Sequence, residues 1–343
     1  METLSEAYKA HPLHLRHIIP LDFSSVPSLP DSHAWSLCND DYLSFNDAAS
    51  SSIPIIDLMD PKATELIGLA CEKWGAFQLK NHGIPFGVVE DVEEEAKRLF
   101  ALPAEQKLKA LRSPGGATGY GRARISPFFP KLMWHEGFTI IGSPSHDAKK
   151  IWPNDYARDL MENYEKQMKV LAERLTEKML DLLEISEEKR KWVGATNVCG
   201  AVQLNFYPSC PEPSRAMGLA PHTDTSLFTI LHQSQTTGLE IFKEGKGWVP
   251  VHPHPNTLVV NTGDLLHIIS NARFRCALHR VTVNRTRKRY SVAYFYSPPI
   301  DYVVSPLVTR DLNSVPRFRS VTVKEYIGIK AKNFGEALSL IST

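Results

Sequence analysis

The 343-residue chain has almost no net charge, few cysteines and no long apolar run. Each shortage excludes something. Lys and Arg number 39 against 38 Asp and Glu, a formal charge of +1. There is thus no electrostatic footprint for nucleic acid and no long-range steering of a highly charged partner. No stretch approaches the ~20 apolar residues of a spanning helix, so a membrane-embedded class is not expected. The N-terminal METLSEAYKAHPLHLRH lacks the apolar segment of a signal peptide. Five cysteines (Cys38, Cys71, Cys199, Cys210 and Cys276) are odd in number, widely spaced and without a CxxC pair. That argues against a disulfide framework or a thiolate zinc cage. They read as free thiols in a reducing compartment, and the expected location is cytoplasmic. What remains, 43% apolar and 22% charged residues, is the balance of a soluble globular protein with ample chain for a core.

The character of the chain changes along its length. Residues 1–50 are rich in Pro, His and Ser and read as an irregular arm packed on the body. SIPIIDL reads as a short buried strand, Pro61 to Trp74 as a helix, Ala76 to Pro85 as a strand closed by a turn, and Val88 to Leu102 as a second helix. Residues 112–150 are loop-like, dense in Gly, Pro, Arg and aromatics, and a long loop of that kind is often functional. Leu160, Tyr164, Met168, Leu171, Leu175, Met179 and Leu182 step by three or four, the stripe of a helix that packs on a sheet. From Val198 short apolar or alternating runs recur between turns, including TLVVNTGDLLHII, and they point to a β sandwich or barrel. Residues 323–340 close the chain as a helix.

Within the β region stands His222-Thr223-Asp224. A His-x-acid triplet arises by chance about once in a chain of this composition, so the physical case rests on strand alternation. Residues i and i+2 share a face and can reach one point of a barrel interior. His279, at the start of ALHRVTVN, is the candidate third ligand. Two imidazoles and one carboxylate form the facial triad of non-haem Fe(II) oxygenases, although the same set with one open position also suits catalytic zinc. Ten residues on, Arg289 and Ser291 of RKRYSVAYF share a strand face. A guanidinium fork with a hydroxyl suits the distal carboxylate of a chelating keto acid, for which zinc hydrolysis has no use. His232, His252, His254 and His267 are rival histidines in the same region, and His267 is the most credible alternative ligand. Arg285, Arg287 and Lys288 read as a solvated turn.

Taken in order, SIPIIDL, CEKWGAFQLKNHGIP, NFYPSCPEP, GLAPHTDTSLFTIL, NTGDLLHIISN, LHRV and RYSVAYF resemble the plant 2-oxoglutarate- and Fe(II)-dependent dioxygenases over nearly the whole chain. A narrower resemblance, to the gibberellin 3-oxidase branch, is carried by HPLHLRHIIPLDFSSVPSLPDSHAW, GYGRARISPFFPKLMWHEGFTI and KEYIGIKAKNFGEALSLI. The resemblance implies a mainly β fold, a double-stranded β-helix (jelly roll) with an α-rich N-terminal region packed on it. It divides the chain into an arm (1–50), an N-terminal dioxygenase region (51–195), the Fe(II)/2-oxoglutarate jelly roll (196–305) and a C-terminal helical tail (306–343). It places iron on His222, Asp224 and His279, and 2-oxoglutarate on Arg289 and Ser291 with Asn205 and Tyr207.

The implied cofactors are Fe(II), 2-oxoglutarate and O2, with ascorbate as reductant. The implied reaction is 3-beta-hydroxylation of a C19 gibberellin precursor by a monomer without nucleic-acid or membrane partners. An apolar diterpenoid bearing one carboxylate suits Tyr120, Phe128, Trp134 and Phe138 of the central loop, with Arg122 or Arg124 on the carboxylate. A gibberellin 2-oxidase, a flavonoid hydroxylase and a non-catalytic jelly-roll binding protein are the alternatives. One departure stands out: the usual SNG of the family reads Ser270-Asn271-Ala272, and alanine is costly if the turn needs a positive φ.

Overall fold

The structure, a computed structural model, describes residues 18–36, 52–113, 116–141, 155–195, 199–307 and 315–343. Cys38, most of the 1–50 arm and residues 142–150 of the central loop lie outside them. Strands dominate after residue 198, where β-branched and aromatic residues alternate with polar ones. The strands are β1 (Ile55–Asp57), β2 (Ala76–Lys80), β3 (Gly119–Gly121), β4 (Glu136–Ile141), β5 (Cys199–Tyr207), β6 (Leu219–His222), β7 (Phe228–Gln233), β8 (Leu239–Lys243), β9 (Gly247–Pro250), β10 (Leu258–Thr262), β11 (His279–Val281), β12 (Arg289–Ser297), β13 (Val303–Val304) and β14 (Val321–Thr322). Eight form one sheet in the order β1-β2-β10-β7-β12-β5-β4-β3, and four form a second, β6-β11-β8-β9. Side chains from both sheets, among them Tyr207, Leu231 and Val259 of the first and Leu239, Ile241 and Val281 of the second, pack into one apolar cluster between them. This is the jelly roll the resemblance implies.

The outer face of the large sheet is covered by helices α1 (Ala63–Lys73), α2 (Phe86–Ala101) and α4 (Asp155–Leu182), with α3 (Ala104–Leu108) beside them. The apolar stripe of α4 is buried through Tyr164, Met168, Leu171, Leu175 and Met179, and it packs on β5, β7 and β12. Alternation along β5 sorts its residues. Val202, Leu204 and Phe206 belong to the helix-side core, and Gln203, Asn205 and Tyr207 turn toward the small sheet.

Three local expectations need correction. The central loop contributes β3 and β4 to the large sheet, because GYG and EGFTII pair with each other and β4 pairs with β5. GDLLHII is no strand: Asp264–Ile269 forms a short helix, α6. The C-terminal helix, α7, spans Val323–Asn333 and gives way to 3-10 turns. It follows a short α5 (Glu187–Arg190) in chain order, after the intervening strands.

The SNA departure meets the geometry it conflicts with. Asn271 and Ala272 follow α6 at φ 51° and 67°, the left-handed region that costs a side-chain-bearing residue on the order of 1 kcal/mol. Ala272→Gly should therefore raise the melting temperature by about 1–2 °C for a chain of this size, measured by thermal denaturation of the apo protein. An unchanged or lower value would show that the turn carries no strain.

Candidate metal and cosubstrate site

Strands β6 and β11 pair antiparallel with His279 directly opposite His222, so the two imidazoles leave the small sheet side by side, ring centroids 4.1 Å apart. The strand argument for Asp224 fails in its detail, since β6 ends at His222. Asp224 lies in the turn beyond the strand, and the turn rather than the pleat swings its carboxylate toward the imidazoles. His222 Nε2 is 3.7 Å from Asp224 Oδ1 and His279 Nε2 is 3.9 Å from Oδ2. Ligand atoms of all three lie within 4.8 Å of one another, and among the described residues no other such group of His, Cys, Asp or Glu occurs.

The arrangement around the triad fixes its tautomers. His222 Nδ1 is 2.8 Å from the Ala220 carbonyl and His279 Nδ1 is 2.9 Å from that of Ala277. Each Nδ1–H donates to its carbonyl, which leaves both Nε2 lone pairs facing Asp224. Burial, then the neighbouring His279, pushes the His222 pKa down to about 3. Burial alone would raise Asp224, but the His279 and His222 imidazoles and the Thr229 hydroxyl, donating at 2.6 Å, hold it below its ordinary value. A neutral imidazole beside an ionised carboxylate is the protonation state a divalent cation requires.

A second constellation lies across the interior. β5 and β12 place Tyr207 opposite Arg289 and Asn205 opposite Ser291, and β7 places Gln233 opposite Ser291. All five side chains are buried. Arg289 Nη2 donates to Gln233 Oε1 at 3.0 Å, its guanidinium carbon sits 5.2 Å from the Tyr207 ring centre, and its Nε has no partner. Among the described residues no carboxylate pairs with it. A buried cation without an acidic partner is an anion site in waiting.

The remaining candidates separate. His232 bonds Glu93 at 2.6 Å, and His267, on α6, bonds the Phe274 carbonyl at 2.6 Å, so neither rival reaches the triad. Tyr120 and Phe138 pair across β3 and β4, and Phe138 pairs with Leu204. That parity puts them on the helix-side face, opposite Asn205 and Ser291. They are core residues, with the Tyr120 hydroxyl donating to Glu136 at 2.5 Å, and not pocket lining as expected. Trp134 is buried beside Phe23, ring centres 4.6 Å apart, and its indole donates to the Ser209 carbonyl. Phe128 is partly exposed and stacks on Phe334 of the C-terminal segment at 4.8 Å. Arg122 is buried and Arg124 exposed.

Ala123, Ile125 and Phe129 of the central loop share an apolar cluster with Leu219 and Ala220 of β6, which brings the loop beside His222. Two polar residues of the site escaped sequence reading. His135 bonds Asn205 Oδ1 at 3.0 Å and has no motif to announce it. Gln233 was findable, being the cross-strand neighbour of Ser291.

Comparison with known proteins agrees with this geometry. Residues 199–298 match the model of the 2OG-Fe(II) oxygenase superfamily, and residues 53–159 match that of the N-terminal region of non-haem dioxygenases in morphine synthesis. The chain is 50% identical to gibberellin 3-beta-dioxygenase 1 of Pisum sativum, over 99% of this chain and 94% of that one. It is 48% identical to gibberellin 3-beta-dioxygenase 1 of Arabidopsis thaliana, over 98% and 97%. The chain belongs to the 2OG-Fe(II) oxygenase superfamily. Its fold is that of JOX2, solved in complex with 2OG, Fe and JA, with a TM-score of 0.80 and 29% identity over 94% of this chain and 96% of that one. The rice dioxygenase for auxin oxidation superposes with a TM-score of 0.71 and 25% identity over 85% and 100%.

As a superfamily member the oxygenase uses Fe(II), 2-oxoglutarate and O2, with ascorbate as the usual reductant. Its residues fit that pair: the two free Nε2 atoms and the carboxylate suit the metal, and the unpartnered Arg289 Nε marks an anion site. No helix of the described residues is long and apolar enough to cross a membrane.

Proposed function

We propose that the oxygenase catalyses 3-beta-hydroxylation of C19 gibberellin precursors, consuming 2-oxoglutarate and O2 and releasing succinate and CO2. One oxygen atom enters the new hydroxyl and the other enters succinate, so the equation balances. The observation that carries this reading is near-full-length likeness, at 48–50% identity, to proteins of that activity. Bound Fe(II) supplies oxidative decarboxylation of the keto acid coupled to C–H hydroxylation.

In this reading His222, Asp224 and His279 hold the metal, each imidazole aimed by its own carbonyl. Arg289 and Ser291 receive the distal carboxylate of 2-oxoglutarate, with Gln233 steering the guanidinium and Asn205 and Tyr207 closing the wall. The apolar contact of the central loop with β6 supports an apolar substrate wall next to His222. Phe128, stacked on Phe334, is kept as a substrate contact, whereas Trp134 packs on Phe23; Arg122 or Arg124 is assigned to the substrate carboxylate. Five widely spaced cysteines without a CxxC pair suit a reducing cytoplasm.

Purified protein given Fe(II), ascorbate, 2-oxoglutarate and a panel of gibberellin precursors should yield 3-beta-hydroxylated products by mass spectrometry. Hydroxylation at C2, or of a flavonoid instead, would refute the substrate assignment. Arg122→Ala or Arg124→Ala should raise KM for the gibberellin by about tenfold or more, the scale of one charge-assisted hydrogen bond. KM for 2-oxoglutarate should stay unchanged. If neither substitution moves the gibberellin KM, the carboxylate contact lies elsewhere.

A further inference from the structure

The turn carrying Asp224 has a weakness that the strands do not cure. β6 stops at His222, so no sheet ladder holds the next residues, yet a metal site needs its ligands placed within a fraction of an ångström. Thr229 holds the Asp224 carboxylate, but the backbone of the turn is held from α6 and from the far end of the chain. On α7, the Lys330 ammonium donates to the Thr223 carbonyl and to the Thr223 hydroxyl, both at 2.8 Å. It also pairs with the buried carboxylate of Asp264. One helical turn earlier, the Tyr326 hydroxyl donates to the same Asp264 carboxylate at 2.8 Å. Asp264 opens α6, and its backbone N–H donates to the Asp224 carbonyl at 2.8 Å, while the Leu265 N–H reaches the Thr225 carbonyl at 3.3 Å. The carbonyls of Thr223, Asp224 and Thr225 are thus each held, and every one of these bonds traces to Lys330 or to the element it is ion-paired with.

We propose that Lys330 is a positioning residue for the metal centre: the C-terminal helix clamps the His222-Thr223-Asp224 turn into its ligating shape. The proposal rests on the reading that His222, Asp224 and His279 hold the metal. A lysine suits the task because its three donors spread over three acceptors that an aliphatic side chain cannot satisfy. The charge suits it too, since Asp264 is buried and needs a counter-ion in place. The clamp works through Thr223, between the two ligands, and so acts on both without occupying a coordination position. Outer partners of this kind typically change metal affinity by 10–100-fold when removed.

The test compares the full-length apo protein with four variants, Lys330→Met, Lys330→Arg, Lys330→Met/Asp264→Asn and His279→Ala. Fe(II) binding is titrated calorimetrically without oxygen, alongside thermal melting. Lys330→Met should weaken metal binding by about tenfold or more. Lys330→Arg should recover part of the loss. The double variant removes the unpaired carboxylate and so restores folding stability, while its metal affinity should stay low. Should Lys330→Met be too unstable to titrate, the double variant alone decides. Wild-type affinity in Lys330→Met, or in the double variant, overturns the clamp and leaves Lys330 as a counter-ion for Asp264. His279→Ala separates the two readings, because metal binding that survives unchanged in that variant refutes the triad itself and not the clamp.

Discussion

Asp224→Ala will abolish substrate-dependent succinate release while the protein still folds. Asp224 is the one anion of the triad, and its carboxylate faces both Nε2 atoms at 3.7 and 3.9 Å. Without it two imidazoles remain, too few to hold a divalent cation against competition from water. The apo fold should tolerate the change. The hydroxyl of Thr229 loses its acceptor, but Ser226 Oγ lies 3.2 Å away to replace it. The measurement is the gain in melting temperature on adding Fe(II) without oxygen. Metal at about a hundred times its dissociation constant stabilises by about 2.7 kcal/mol, a rise of about 4 °C for this chain length. That rise should vanish in Asp224→Ala. A variant that still melts higher with iron, or still releases succinate, would remove Asp224 from the ligand set.

The ease of reading this site from sequence varied with the regularity of the backbone that carries it. Arg289, Ser291, Asn205 and Tyr207 sit on two long paired strands; parity puts Arg289 and Ser291 on one face, and the resemblance supplies Asn205 and Tyr207 opposite them. His222 and Asp224 do lie together with His279, but strand alternation is not the reason, since the strand ends between them. The central loop misled because its glycines and prolines hide two short strands, and once β3 and β4 pair, parity sends Tyr120 and Phe138 into the helix-side core. α6 is hard to tell from a strand because six largely apolar residues fit a buried strand as well as a helix. Lys330 could not be found at all. It lies 107 residues from Thr223, and nothing in KEYIGIK distinguishes a lysine turned inward from one facing water.

Arg289→Leu tests the cosubstrate end, and there binding and stability should move in opposite directions. Cutting away one partner of a buried, hydrogen-bonded charge pair costs about 2–5 kcal/mol, roughly 30-fold to several-thousand-fold in affinity. KM for 2-oxoglutarate should rise on that scale while KM for the gibberellin stays near wild type. Arg289→Lys should fall between, since an ammonium keeps the charge but cannot present two parallel donors to a carboxylate. Stability follows a different logic. In the apo protein the guanidinium is desolvated, meets Gln233, Ser291 and Tyr207 but, among the described residues, no carboxylate, and leaves Nε unbonded. Leucine removes that uncompensated cation at the cost of one acceptor on Gln233. The apo variant should therefore melt no lower than the wild type, and it should gain nothing on adding 2-oxoglutarate, which should stabilise the wild type. A large fall in apo stability would mean that Arg289 is part of the framework and not a ligand anchor. An unchanged KM for 2-oxoglutarate would move the distal carboxylate to another cation. Retained fold with lost cosubstrate binding is what an anion anchor, as opposed to a framework ion pair, must give.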